Sequence, residues 1–211
     1  MTAATDVRIP VNFWFDPLCP YAWVTSRWMI EVMTVRPVDV AWHIMSLAVI
    51  NEDKADQSDK YRAWLERAWY PVRVVVAAEQ EAGSGVVLPL YTAIGERVHP
   101  GERGRTAEDL LAVLAEALAE VGLPAHLIDA ATDASNDEAI RTTTANAMTL
   151  VGEDVGTPVL GVADWGIFGP VLTRVPRGDD AGDVWDATLV LGPRDDFWEL
   201  KRTRTEDPQF D

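Results

Sequence analysis

The sequence predicts a mixed α/β fold on three observations: short apolar strand-like runs near both ends of the chain, helical periodicity through the middle, and one strand that passes through an Asp-Pro turn straight into a helix. Residues 11–15 (Val-Asn-Phe-Trp-Phe) are a short apolar run closed by Asp16-Pro17, the pattern of a buried strand feeding a turn. Pro20 suits the first turn of a helix, and residues 21–33 are apolar on most sides, as a largely buried helix is. Pro37 ends it. Val38, Val40, Trp42 and Ile44 then alternate, giving a second strand over 38–45.

Up to about residue 135 the pattern is helical. Tyr61, Trp64, Leu65, Ala68, Val72, Val75 and Val76 repeat at steps of three and four, with Pro71 expected to kink or restart the helix. Breaks at 83–85 and 100–104 precede a helix opening at Thr106 and stopping near Gly122, and Pro124 starts a short successor. Ser135 and Glu138 form a capping-box pattern for a further helix reaching toward Gly152. After Gly156-Thr157-Pro158, the runs 159–162 and 166–171 flank a turn at 163–165 and predict a hairpin. A helix from about Asp179 to Leu189 and one more helical turn at 197–200 complete the chain. Strand, helix, strand, helical block, helix, hairpin, helix is the thioredoxin arrangement with an all-helical insertion. Residues 1–50 and 136–211 are expected to form the core and 51–135 a helical lid.

The 211 residues, 48% hydrophobic, suffice for one domain with a sizeable insertion. A net charge of −16 repels phosphate backbones and anionic membranes, which excludes nucleic acid as a partner class, and no run approaches the ~20 apolar residues of a membrane span. Residues 1–10 carry Asp6 and Arg8 and lack a secretory apolar stretch, so the expected location is cytoplasmic. The single cysteine forbids an internal disulfide and a cysteine-built zinc site, and no Gly-rich phosphate loop marks a flavin or nicotinamide site.

That cysteine, Cys19, stands between a predicted strand and a predicted helix, directly before Pro20. A sulfur there meets unpaired helix amides and the positive end of the helix dipole, which can lower a cysteine from about 8.5 to between ~3.5 and ~7.5 and so expose a thiolate nucleophile. Thr157-Pro158 is the expected second half of the site, since an X-Pro bond tolerates cis and can present the Thr157 backbone to a bound thiol. Tyr21 is placed to wall a pocket. Trp14, Trp23 and Trp28 are assigned to the core, His43 and His126 to structural roles, and His99 to a loop from which it reaches substrate.

Residues 13–23 (Phe-Trp-Phe-Asp-Pro-Leu-Cys-Pro-Tyr-Ala-Trp) resemble the active-site segment of the actinobacterial mycothiol-dependent nitroreductases, which are DsbA-like proteins. The likeness continues through residues 45–48, 51–52, 68–74, 89–93, 151–158, 168–172 and 199–205. It implies a DsbA-like thioredoxin core with a helical lid, mycothiol as the low-molecular-weight thiol donor, and a small molecule or mixed disulfide as substrate. It also implies that Asn51 and Tyr61 help Tyr21 hold that substrate. The mycobacterial member of that family has Cys-Pro-Trp-Cys where this chain has Cys19-Pro20-Tyr21-Ala22, so the resolving thiol is absent and only a monothiol cycle remains. The same tetrapeptide resembles the Ser-Pro-Tyr-Ala segment of kappa-class glutathione transferases and hydroxychromene carboxylate isomerases, which makes a thiol transferase or isomerase the alternative activity; a redox-inactive binding protein is a further one. Monomer and homodimer are both compatible with the sequence.

Overall fold

In a computed structural model, which describes residues 7–54 and 58–210, the chain forms a four-stranded sheet flanked by helices. Residues 1–6, on which the reading of the N-terminus rests in part, lie outside the described residues. β1 (Ile9–Phe15), α1 (Pro20–Val35) and β2 (Val38–Ile44) make a parallel unit, with Ile9 opposite Val38 and Phe15 opposite Ile44. β3 (Val159–Val162) pairs antiparallel with β1, and β4 (Trp165–Phe168) antiparallel with β3, giving the order β2-β1-β3-β4. β1 therefore lies inside the sheet, which is why its apolar residues run almost without interruption. This is the thioredoxin-like α/β fold expected from the element order.

Between β2 and the C-terminal core helices, the described residues contain α2 (Leu47–Asn51), α3 (Asp59–Ala82), α4 (Val87–Val98), α5 (Ala107–Glu120) and short 3-10 segments; α6 (Asp137–Val151) and α7 (Asp179–Leu191) follow. One continuous apolar core runs through both regions. Phe15 at the end of β1 stacks on Tyr91 of α4 with ring centres 3.8 Å apart, and Trp23 of α1 meets the same ring edge-on. Gly95 of α4 is where the two helices close: a Cβ there would come within 2.1 Å of the Trp23 ring.

α3 runs through Pro71 as one helix, with Ala68, Val72 and Val75 buried around it to offset the missing hydrogen bond. Four local expectations are corrected. Ser135 does not cap α6. It sits in a preceding 3-10 turn whose cap is the Asp133 carboxylate, and α6 starts after Asn136 with no side-chain cap. The hairpin turn is Ala163–Asp164, with Trp165 already in β4. β4 stops at Phe168 instead of reaching 171, since a cis Gly169–Pro170 bond follows and a proline has no amide to extend the ladder. Residues 197–200 form no helical turn; Trp198 and Leu200 are exposed there and have no core to pack against.

Candidate active site around Cys19

Cys19 is the N-cap residue of α1, with Pro20 at the first helical position. Its sulfur accepts from the Ala22 amide at 3.4 Å, and its thiol donates to the Thr157 carbonyl at 3.5 Å. The Thr157–Pro158 bond is cis, and the Thr157 carbonyl lies against the sulfur, so the two halves named from the sequence come together. Ala22, at the position of the missing second cysteine, is fully buried.

The sulfur's electrostatics differ from the sequence expectation. Cys19 is only 5% exposed, and burial pushes its thiol above the ordinary value. Hydrogen bonds from the Thr157 side chain and the Ala22 and Tyr21 amides pull it down, and the nearby charge of Asp16 adds to the rise. Desolvation opposes the helix N-terminus here and outweighs it, so burial favours the neutral thiol where position alone favours the thiolate. Its alkylation rate is accordingly predicted to keep climbing with pH past 8.5. A plateau reached by pH 7.5 in an iodoacetamide rate profile would show that the helix amides win after all.

Asp16 is the residue that sequence reasoning missed. It is fully buried, its carboxylate accepts from the Leu18 amide at 2.8 Å and the Leu47 amide at 2.7 Å, and its carbonyl accepts from the Cys19 amide at 3.0 Å. Its own amide donates to Thr157 Oγ1 at 3.4 Å. One side chain and its backbone thus tie together the cysteine loop, the Thr157 segment and the start of α2. Burial raises Asp16 to about 6 against the lowering effect of the two amides. The only sequence signal was an acid three residues before a cysteine, and Asp-Pro reads equally well as a surface turn.

His99 lies in the turn after α4, where it is 6% exposed, and its Nε2 contacts the Pro17 carbonyl at 3.0 Å. A carbonyl only accepts, so Nε2 carries the proton, and burial lowers the ring to about 4, which keeps it neutral. It stacks on Trp23 and braces the loop from below. Tyr21 is half-buried in the first turn of α1. Asn51 closes α2 and donates to the Leu47 carbonyl at 2.8 Å. Tyr61 on α3 is partly exposed and stacked on Trp64; burial raises its phenol, and the Asp16 charge adds to that rise. His43 pairs with Asn12, and His126 with Glu81 far from the sulfur on the α3 surface. Trp14, Trp23 and Trp28 are buried, as expected. Among the described residues no three His, Cys, Asp or Glu side chains cluster as a metal site, and no helix is long and apolar enough to cross a membrane.

Comparison with known proteins places the chain among DsbA-like folds. A relative of Mycobacterium tuberculosis, the uncharacterized protein Rv2286c, is 29% identical over 196 residues, covering 92% of this chain and 82% of its own. Among solved structures, the cytosolic disulfide reductase DsbM from Pseudomonas aeruginosa, crystallised with GSH, superposes with a TM-score of 0.56 at 21% identity, covering 87% of this chain and all of its own. The probable DsbA oxidoreductase SCO1869 from Streptomyces coelicolor gives 0.56 at 18% identity, over 94% and 95% of the two chains. Residues 18–202 match the family model described as Rv2466c-like, mycothiol-dependent nitroreductase Rv2466c, and the chain belongs to that family of thiol oxidoreductases.

Proposed function

We propose that this chain is a cytoplasmic, mycothiol-dependent reductase that works through Cys19 alone. The observation that carries the reading is the arrangement at the sulfur: an N-cap thiol with the Ala22 amide on one side and the backbone of a cis Thr157–Pro158 segment on the other. That arrangement offers an amide to an emerging thiolate and an extended backbone edge to a disulfide lying across it.

In the cycle, the Cys19 sulfur bonds to the mycothiol sulfur of a mixed disulfide, the substrate S–S bond breaks, and the other half departs as a thiolate with the electron pair. The proton lost by Cys19 goes, through solvent, to that thiolate. A free mycothiol then attacks the mixed disulfide on Cys19, forming mycothiol disulfide and restoring the thiol. For a nitroaromatic substrate the same electrons suffice: Cys19 and one mycothiol are oxidised to a mixed disulfide while a nitro group becomes a nitroso group and water. With Ala22 in place of a second cysteine, no intramolecular disulfide competes with these steps.

Because the thiol is buried and neutral, attack requires local opening and loss of the proton, and the Ala22 amide then holds the anion. Thr157 serves as the docking edge, and Tyr21, Asn51, Tyr61 and His99 form or brace the pocket walls, with the helical segment 51–135 acting as its lid. Incubation with mycothiol disulfide is expected to add the mass of one mycothiol, mapped to Cys19 by peptide analysis; an unchanged mass after full incubation overturns the proposal.

The neutral state of the sulfur favours one second reading. A thiol that donates a hydrogen bond suits a transferase or isomerase of the kappa-class type, in which the residue at this position stabilises the thiolate of a bound cofactor thiol without exchanging disulfides. The Cys19→Ser variant separates the two.

A further inference from the structure

The C-terminal segment after α7 contains no helix or strand, yet it is fixed across the active-site face. Glu206 pairs with Arg174 at 3.1 Å, the Gln209 amide donates to the Thr173 carbonyl at 2.7 Å, and the Phe210 ring lies 5.5 Å from the ring of His99. The segment leaving β4, which carries Thr173 and Arg174, is itself tied to α1 through the Thr25 hydroxyl donating to the Pro170 carbonyl at 2.8 Å. Gln209 and Phe210 also close one wall of a cavity of about 500 Å3 that reaches Trp23 and Arg27 of α1.

Held at these points, the segment lays the Arg204 guanidinium over the Tyr21 ring, 4.6 Å from its centre. Tyr21 follows Cys19 by two residues. In a chain with 34 acidic residues, Lys201 pairs with Glu199 and Glu206 with Arg174, while Arg204 lies on the Tyr21 ring and makes no ion pair or hydrogen bond among the described residues. The contact holds the guanidinium beside Tyr21, and its unpaired N–H fork is of the kind that receives a carboxylate or another paired-oxygen group.

We propose that Arg204 is a specificity-determining residue of the Cys19 site, receiving an anionic group on the disulfide substrate while its sulfur meets Cys19. The inference rests on the reading of Cys19 as a thiol-exchange nucleophile. It also assigns a role to residues 203–210, which lie beyond the stretch matched by the family model. An anionic substrate approaching a chain of net charge −16 gains most from a cation placed at the reaction point, because the surrounding field otherwise repels it.

The test uses two aromatic disulfides that release coloured thiols, the dianionic 5,5′-dithiobis(2-nitrobenzoate) and the neutral 2,2′-dithiodipyridine. In each reaction Cys19 sulfur bonds to one reagent sulfur, the reagent S–S bond breaks, and the leaving thiolate takes the electron pair as the Cys19 proton passes to buffer. Arg204→Ala is expected to slow the dianionic reagent about tenfold and to leave the neutral one within twofold. Arg204→Lys should retain part of the rate. Arg202→Ala removes the same charge from the same exposed segment without touching Tyr21, and should leave the ratio of the two rates unchanged. Equal losses in Arg202→Ala and Arg204→Ala, or a proportional loss with both reagents, overturn the assignment to Arg204. Failure of the unmutated protein to react with either reagent overturns the Cys19 reading itself, so the two failures are distinguishable.

Discussion

Cys19→Ser is expected to abolish turnover with a mycothiol mixed disulfide and to leave the fold intact. The two halves of that expectation come from different physics. Serine is close to cysteine in size and is among the preferred N-cap residues, so its hydroxyl takes over the bond from the Ala22 amide and α1 keeps its cap. Thermal midpoint and circular dichroism should therefore change little. The chemistry does not survive, since a hydroxyl is not ionised at neutral pH and cannot form a disulfide. A transferase or isomerase that only needs a hydrogen-bond donor at this point would keep much of its rate. Retention of a tenth or more of the disulfide turnover by the serine variant, with the protein free of other thiols, removes the monothiol cycle from consideration.

The path to that residue was largely visible in the amino-acid order. β1, α1 and β2 follow from an apolar run, an Asp-Pro turn, Pro20 and an alternating strand, and together they put Cys19 at a helix start. The cis geometry at Thr157–Pro158 followed from fold context and not from the dipeptide, which is trans far more often than not. What stayed hidden depends on contacts between segments far apart in the chain. Asp16 is a buried hub because the Leu47 amide comes to meet it, and His99 braces the loop because α4 ends beneath Pro17. The desolvation of Cys19 stays hidden for the same reason: the helix amides are local and legible, whereas the packing that buries the sulfur is tertiary. Arg204 has no periodicity around it, and only the anchors at Glu206, Gln209 and Phe210 explain why it lies on Tyr21. At Ser135, two caps compete for one helix start, and the Asp133 carboxylate takes the turn first.

The largest effect on stability is expected from Trp28→Ala, and the same variant tests how Cys19 is reached. Trp28 is fully buried on α1, its Nε1 donates to the Ala181 carbonyl at 3.0 Å, and its ring lies 6.4 Å from that of Trp185, so it fastens the helix bearing the cysteine to α7. Removing the indole leaves a cavity and an unpaired carbonyl, a loss of about 3–5 kcal/mol. A midpoint lowered by roughly 10 °C is the corresponding thermal result for a chain of this size. Trp28→Phe keeps most of the apolar volume and loses the hydrogen bond, so it should fall between. The substitution lies about 13 Å along α1 from Cys19, well clear of the Ala22 and Thr157 contacts. If the buried thiol is reached by a local opening of its own loop, its alkylation rate in Trp28→Ala stays near that of the parent below the melting range. A loss of this size raises the unfolded fraction on the order of a hundredfold or more. Should the alkylation rate rise by the same factor, the sulfur is accessible only in the unfolded chain, and a catalytic role for Cys19 falls.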